Sequence, residues 1–395
     1  AILAQALALP FMRRPSRRTL RAWTRNVAVR SGRTAGCPPG VLGGRPPMTT
    51  SGTGACDELA AALPRYRAAP REQPDRRAGE PPSLVRLLPS PAAHGSPPTR
   101  LLTHLRRSVG EDGPVRSCML YLHGFPDQSV DHRRESPEYG SLKTQLATRL
   151  ADAFLGEVPD AVFAAFNFAG TPGSDDGCPF FAKTVSREVA DAKVVMQFLR
   201  QAFAPPPAPI HVVGISTGAI VASLLRGHDA HSTVTAIAGL VDVEAGLRYD
   251  FDDEQLAAFD AGGSCLKEFW LPCGSPSNPP AEGGGLASAD AEAGGWRRTH
   301  LRLGAQYRED FLSLEVRKAV QSSAAPFLVI HGDRDRSVPL ANGEALFEAA
   351  ADPKRLVVVK GGDHLLRSSK CFKKAEAAIL GMVRESCRPE ESKKK

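Results

Sequence analysis

Gly214-Ile215-Ser216-Thr217-Gly218 sets a serine between two glycines, after the apolar run Ile210-His211-Val212-Val213 and before the small-residue run Ala219-Ile220-Val221-Ala222-Ser223. It is the only Gly-x-Ser-x-Gly in the chain. A strand-to-helix turn this tight holds the serine strained, with its hydroxyl exposed; side chains at the flanking glycines would clash with the adjoining strand and helix. A serine hydroxyl is a poor nucleophile unless a base takes its proton. Two later segments offer the partners. An apolar run at 327–330 leads into His331-Gly332-Asp333-Arg334-Asp335-Arg336-Ser337-Val338-Pro339, and one at 356–360 leads into Gly361-Gly362-Asp363-His364. Each polar group would stand just past the carboxyl end of a strand, where open α/β sheets build their sites. The order serine, acid, base fits Ser216 as the nucleophile, Asp335 as the acid and His364 as the base, since Asp335, three residues after Gly332, lies far enough past the strand to turn back towards His364. The tetrahedral intermediate also needs two N–H donors for its oxyanion. Thr217 supplies one by its position after the serine. His123-Gly124-Phe125-Pro126 supplies the other: Phe125 has an N–H, Pro126 has none, and Gly124 lets the backbone come close.

Other residues compete for these roles. Asp333 is a second candidate for the acid, and it is expected to cap the turn. Asp242 follows the apolar run 234–241, where some enzymes of this chemistry hold their acid. His123 and His331 each precede a glycine at a strand end and read chiefly as hydrogen-bonded turn residues. His211 lies on an apolar strand and reads as a satisfied core residue. His228 and His231, with Asp229, read as a loop and not as a metal site.

The elements that would carry these groups alternate. Apolar runs at 118–122, 161–168, 210–214, 234–241, 326–330 and 356–360 read as strands; 142–154, 184–203, 217–226, 343–351 and 371–385 read as helices. Such alternation implies an α/β fold, a mostly parallel sheet covered on both faces. Two further short strands are suggested at 84–88 and 101–107. Residues 243–322 interrupt the pattern and are too long for an ordinary loop. Their flanks read as a helical cap, with a helical run from Arg297, and the Gly/Pro/Ser/Ala-rich centre 274–295 reads as a disordered loop. Phe251, Phe259, Phe269 and Trp270 would form the core of the cap or line a pocket.

Together His123-Gly124-Phe125, the stretch 166–174, Glu188-Val189-Ala190-Asp191-Ala192, Gly214–Gly218, the His331-Gly332-x-x-Asp335-x-x-Val338-Pro339 pattern and Gly361–His364 resemble the α/β-hydrolase superfamily from about Ser117 to Arg384. The chain looks closest to the serine-aminopeptidase-like branch that holds cinnamoyl or feruloyl esterases and plant and algal esterase-like proteins. The resemblance implies an α/β-hydrolase fold with a cap insertion and a serine hydrolase acting on small-molecule carboxylic esters, with no metal or organic cofactor. It carries the nucleophile onto Ser216, the acid onto Asp335, the base onto His364 and the oxyanion donors onto Phe125 and Thr217. Ile215 departs from the pattern where many relatives have His, and Asn167 where they usually have Asp. An acyltransferase or serine peptidase on the same triad, and a non-catalytic binding protein on the same fold, are the other readings. The intact Ser, Asp and His argue against the last.

Composition bounds the partners. The chain has 395 residues and a net charge of +7. Its first 50 residues hold nine Arg and no acid, so the rest is close to neutral. No basic stripe with interleaved aromatics marks the body for nucleic acid, and no apolar run is long enough to span a membrane. The segment 1–47 is an acid-free, Arg-rich leader with the composition of a transit peptide. That implies a mitochondrion or chloroplast, and the cytoplasm if the segment is not a targeting signal. Residues 48–98 are Pro-, Arg- and Ser-rich linker, 99–388 the hydrolase domain with the cap at about 243–322, and 389–395 a charged tail. Eight cysteines show no zinc spacing. Cys118 reads as a buried thiol, the chain is long enough to need no disulfide framework, and whether Cys265 and Cys273 pair is left open.

Overall fold

β-Branched and apolar runs too short for helices, bounded by glycine and polar turns, form the strands of a central sheet. The computed structural model describes residues 83–90, 99–108, 114–125, 146–171, 174, 180–203, 208–228, 233–272 and 296–387. The leader, residues 48–82 of the linker, Pro126, Asp229, His231, Cys273, the insert centre 274–295 and the tail 389–395 lie outside them. In chain order the elements are β1 (Ser83–Ser90), β2 (Thr99–Arg107), β3 (Ser117–Leu122), α1 (Leu146–Glu157), β4 (Ala161–Phe166), α2 (Val185–Ala202), β5 (Ile210–Ile215), α3 (Thr217–Leu224) and β6 (Thr233–Ile237). The cap follows as α4 (Val243–Asp250), α5 (Asp253–Asp260), β7 (Ser264–Pro272), β8 (Trp296–Gly304), α6 (Gln306–Leu312) and α7 (Val316–Gln321). The chain returns to the sheet with β9 (Phe327–Gly332), α8 (Leu340–Ala349), β10 (Lys354–Val359) and α9 (Ser369–Ser386).

Eight strands pair in the order β1-β2-β4-β3-β5-β6-β9-β10. β2 runs antiparallel to both β1 and β4, and all the other pairs are parallel. β3, β4, β5, β6 and β9 are buried along their whole length, as parallel strands covered on both faces must be. On one face α1 and α9 press Leu150, Phe154, Phe372, Ile379 and Val383 onto Met119, Phe163 and Ile330. On the other, α2 and α3 meet the cap in one continuous core. Ile215, one of the two departures, is buried among the aliphatic residues of the first face.

Three expectations need correction. The segment from Arg297 is a strand and not a helix: β8 pairs antiparallel with β7 from Ser264↔Gly304 to Pro272↔Trp296. The reason lies in Thr299, Leu301 and Leu303 alternating with Arg298, His300 and Arg302, which is a period of two. The cap is therefore helical at α4–α5 and α6–α7 with a two-stranded arm between them. The run 234–241 stays in the sheet only to Ile237; Ala238 takes a positive φ of 52° and turns the chain out towards the cap. Finally, the sheet begins inside the stretch 48–98 that composition reads as linker, because the suggested strand at 84–88 is real and spans Ser83–Ser90.

Candidate active site

Ser216 sits between β5 and α3 with φ 55° and ψ −123°. A left-handed φ on a serine is strain, held here by its surroundings. Ser216 N–H donates to Ile237 O of the next strand at 2.9 Å, and its carbonyl accepts from Ala219 and Ile220 of α3. The two glycines are required by contact. A Cβ on Gly214 would stand 2.0 Å from Gly218 O, and one on Gly218 would stand 2.3 Å from Leu122 O. With no side chain at either position, α3 can start against β3.

β9 and β10 are neighbours, and their carboxyl-end loops lock backbone to backbone. Arg334 N–H donates to Gly362 O at 2.9 Å and Asp333 N–H to Val359 O at 3.2 Å. A Cβ on Gly332 would lie 2.3 Å from Gly362 O. Across this junction His364 Nδ1 meets Asp335 Oδ2 at 2.8 Å. An ionised carboxylate can only accept, so Nδ1 carries the proton and the neutral ring keeps its lone pair on Nε2, where it could accept a proton. The other carboxylate oxygen, Asp335 Oδ1, accepts from Ser337 N and Val338 N, both at 2.9 Å. Burial pushes Asp335 up, but the His364 bond and charge and the two amides outweigh it and hold the carboxyl below its ordinary value. The Asp335 side chain is fully buried, and that of His364 is 19% exposed.

Val338, which bonds Asp335, also lines a cavity of about 10 Å³ shared with Ser216, Thr217 and Ile220. The Asp335 loop and Ser216 thus border one space, roughly the size of a single water. No hydrogen bond closes Ser216 Oγ to His364 among the described residues, whereas the Asp335–His364 half is formed. In enzymes that use a serine and a histidine together, such contacts are often long without substrate and tighten when one is bound.

Gly124 lies over the serine: a Cβ there would be 3.1 Å from Ser216 Cβ and 3.7 Å from Ser216 Oγ. Its peptide is pinned from the far side. His123 Nδ1 bonds Gly124 O at 2.8 Å. Gly124 C=O and Phe125 N–H belong to one planar unit, so fixing the oxygen fixes the direction of the N–H. The Phe125 ring anchors the same loop, with centroids 5.0 Å from Tyr307, 5.9 Å from Phe251 and 6.0 Å from Phe180. No acceptor among the described residues takes the N–H of Phe125 or of Thr217.

The competing residues do other work. Asp333 Oδ1 accepts from Gly361 N at 2.5 Å and ties the two loops. Asp242 caps α4 through Ala245 N at 3.0 Å. His331 is fully buried, bonds Val338 O at 2.9 Å and flanks Asp335 at 3.5 Å. Burial pushes His123 down to about 3, and Lys183 adds to the effect, so its ring is neutral and serves as a donor. His211 bonds Thr233 Oγ1 at 2.8 Å in the core. Cys265 is a free, buried thiol.

Three pairs of charged groups near the site escape a reading of the sequence. Lys183 and Glu188 form a buried ion pair at 2.6 Å, each side chain 3% exposed. Arg187 and Asp191, one turn along on α2, pair at 3.0 Å, and Asp191 Oδ2 receives Ala169 N at 2.8 Å. A charged helix face ordinarily faces water; here it faces the loops after β4. Phe251 and Phe259 turn out to be cap core, 4% and 3% exposed. Asp250 and Lys267 of the cap come close to the site only because α4 and β7 fold back over it.

A strained serine at the β5–α3 turn, with a hydrogen-bonded Asp–His pair at the ends of β9 and β10, defines a hydrolase-type α/β architecture. The family model described as "Alpha/beta hydrolase family" matches residues 119–369, and the chain belongs to that family. It is therefore a hydrolase by family. No curated protein matches in sequence. Among solved structures, a protein described as a hydrolase from Agrobacterium vitis S4 aligns at 18% identity and TM-score 0.53, over 76% of this chain and 99% of that one. Est1E from Butyrivibrio proteoclasticus with bound ferulic acid aligns at 15% identity and TM-score 0.48, over 75% and 98%. The esterase domain of a Rhodothermus marinus protein aligns at 18% and 0.47, over 76% and 98%. At these identities the likenesses speak to fold alone. No helix among the described residues is long and apolar enough to cross a membrane.

Proposed function

We propose that the chain hydrolyses carboxylic esters through an acyl-enzyme on Ser216. His364 Nε2 takes the Ser216 proton as Oγ attacks the carbonyl carbon. The oxyanion is held by the N–H groups of Phe125 and Thr217, and collapse of the tetrahedral intermediate expels the alcohol, which leaves with the proton from His364. Water then gives a proton to His364 and attacks the acyl carbon, releasing the acid and restoring the serine. Asp335 keeps the imidazole in the Nδ1–H tautomer and stabilises the imidazolium. The observation that carries this reading is the 2.8 Å Asp335–His364 bond on the sheet edge that also bears the strained Ser216. The ester preference over peptides rests on the resemblance to esterases. The test is fluorophosphonate labelling together with hydrolysis of a p-nitrophenyl ester panel. Wild type should label and turn over; Ser216→Ala should do neither while its melting temperature stays within a few degrees. Labelling that survives the substitution would remove Ser216 from the mechanism.

A further inference from the structure

The cavity above Ser216 has an apolar wall of Ile220, Ala238, Leu240, Phe311 and Val338. Asp250, the last residue of α4, is the one charged residue that lines it. Two titratable groups face Asp250 from other elements. Lys267 of β7 spends its ammonium on the Asp250 main-chain carbonyl and on Gln255 Oε1 at 3.3 Å, and rests 4.0 Å over the Phe251 ring. His364 faces it from the loop after β10, and the charge of Asp250 is felt in turn by Tyr307 of α6. No described residue makes a hydrogen bond or an ion pair to the Asp250 carboxylate. Asp250 is half-buried, and drawing a carboxylate even partly out of water costs free energy unless something pairs it. Burial pushes this one up to about 6 against the pull of Lys267 and His364, so it is charged at pH 8. An unspent acceptor at a nucleophile's cavity, kept at a cost, is the pattern of a group that meets a ligand.

Resting on the ester-hydrolase reading, we infer that Asp250 is a specificity-determining residue. It selects esters bearing a cationic or hydrogen-bond-donating group a few atoms from the carbonyl, and it rejects esters bearing a carboxylate there. Two opposite charges about 6 Å apart at a partly screened site interact strongly enough to change a rate by an order of magnitude or more, and two like charges do the reverse.

The experiment uses three p-nitrophenyl esters of matched shape: 4-(trimethylammonio)butyrate, its uncharged isostere 5,5-dimethylhexanoate, and hemiglutarate. At pH 8 and low salt, kcat/KM of the full chain should fall in that order, with the cationic ester favoured over the anionic one by at least about tenfold. Asp250→Asn should shrink that ratio to about threefold or less, and 0.5 M NaCl should shrink it in the wild type. Inactivation by two fluorophosphonates, one with a trimethylammonium tail and one with a carboxylate tail, gives the same comparison without turnover. Normal labelling of Ser216 with no charge preference, or a preference that Asp250→Asn leaves unchanged, overturns the role of Asp250 and leaves the serine hydrolase reading standing. No labelling and no turnover with any reagent sinks the hydrolase reading and this inference with it.

Discussion

At the scale of single residues, the site separates groups that do chemistry from groups that hold loops. Asp335 and Asp333 stand two apart in sequence, yet one bonds His364 Nδ1 and the other bonds the Gly361 amide. Asp335→Asn can present an N–H to Nδ1 and so favours the wrong tautomer. It should lower kcat by about 10⁴-fold with little change in KM. Asp333→Asn keeps an acceptor and should cost no more than about tenfold. Steady-state kinetics of the two variants decide between the acids, and a dead Asp333→Asn beside an active Asp335→Asn would reverse the assignment. Asp250 gives a second prediction, on stability. Its folded value of about 6 stands above the ordinary 3.8, so the folded chain binds this proton more tightly than the unfolded one. The stability gained from that proton is fully present below about pH 3.8 and is lost as pH rises through about 6. Above pH 6 the ionised carboxylate is a burden on the order of 1–3 kcal/mol. Asp250→Asn should therefore raise the melting temperature at pH 8 and leave it nearly unchanged at pH 4. A melting temperature lowered at pH 8 would mean that the carboxylate has a stabilising partner.

At the scale of elements, the site depends on two close backbone approaches. Gly218 starts α3 directly under β3, and a methyl there would meet Leu122 O at 2.3 Å and His123 O at 2.5 Å. Backbone atoms in a sheet cannot yield that far. Gly218→Ala should cost several kcal/mol or prevent soluble expression. The same change at Gly124 puts a methyl 3.1 Å from Ser216 Cβ. It should leave the melt within a few degrees and lower kcat instead, because the displaced part is the loop proposed to hold the oxyanion. Circular dichroism melts and ester kinetics on both variants test the contrast, and equal damage to the fold at both positions would contradict it. Both glycines were legible in the sequence, because a tight turn and a close approach are local demands. The strands were legible for a similar reason: burial on both faces makes unbroken apolar runs. The β8 arm was misread because the residues after it are helical, and its period of two is visible only over the nine residues Trp296–Gly304. The buried Lys183–Glu188 and Arg187–Asp191 pairs at the start of α2 were not legible as buried. A charged helix face has the same sequence whether water or another loop covers it. Asp250 and Lys267 were missed for a related reason. They meet the site through the folding of the cap, and no local spacing in 243–322 encodes it.

At the scale of the whole molecule, the sheet sets how much of the chain the fold requires. β1 pairs with β2 along eight residues, from Ser83↔Arg106 to Ser90↔Thr99. Leu88 of β1 and Leu101 and Leu105 of β2 are essentially buried in the main core. β2 runs antiparallel between β1 and β4, so β1 is what covers its outer edge. A chain starting at Met48 keeps every strand of the sheet and loses the Arg-rich leader. It should melt within about 2 °C of the full chain and hydrolyse esters at the same rate, as a removable targeting segment requires. A chain starting at Thr99 loses β1. Its β2 then presents a row of unpaired backbone groups and part of an apolar face. That should cost a few kcal/mol, roughly 5–10 °C in melting temperature for a domain of this size, and promote aggregation through the bare edge. Scanning calorimetry and light scattering on the two truncations read both effects. If the chain from Met48 loses as much stability as the chain from Thr99, the leader contributes to the folded body and is not a segment made to be removed. If the chain from Thr99 melts like the full chain, β1 is dispensable and the hydrolase domain starts at β2.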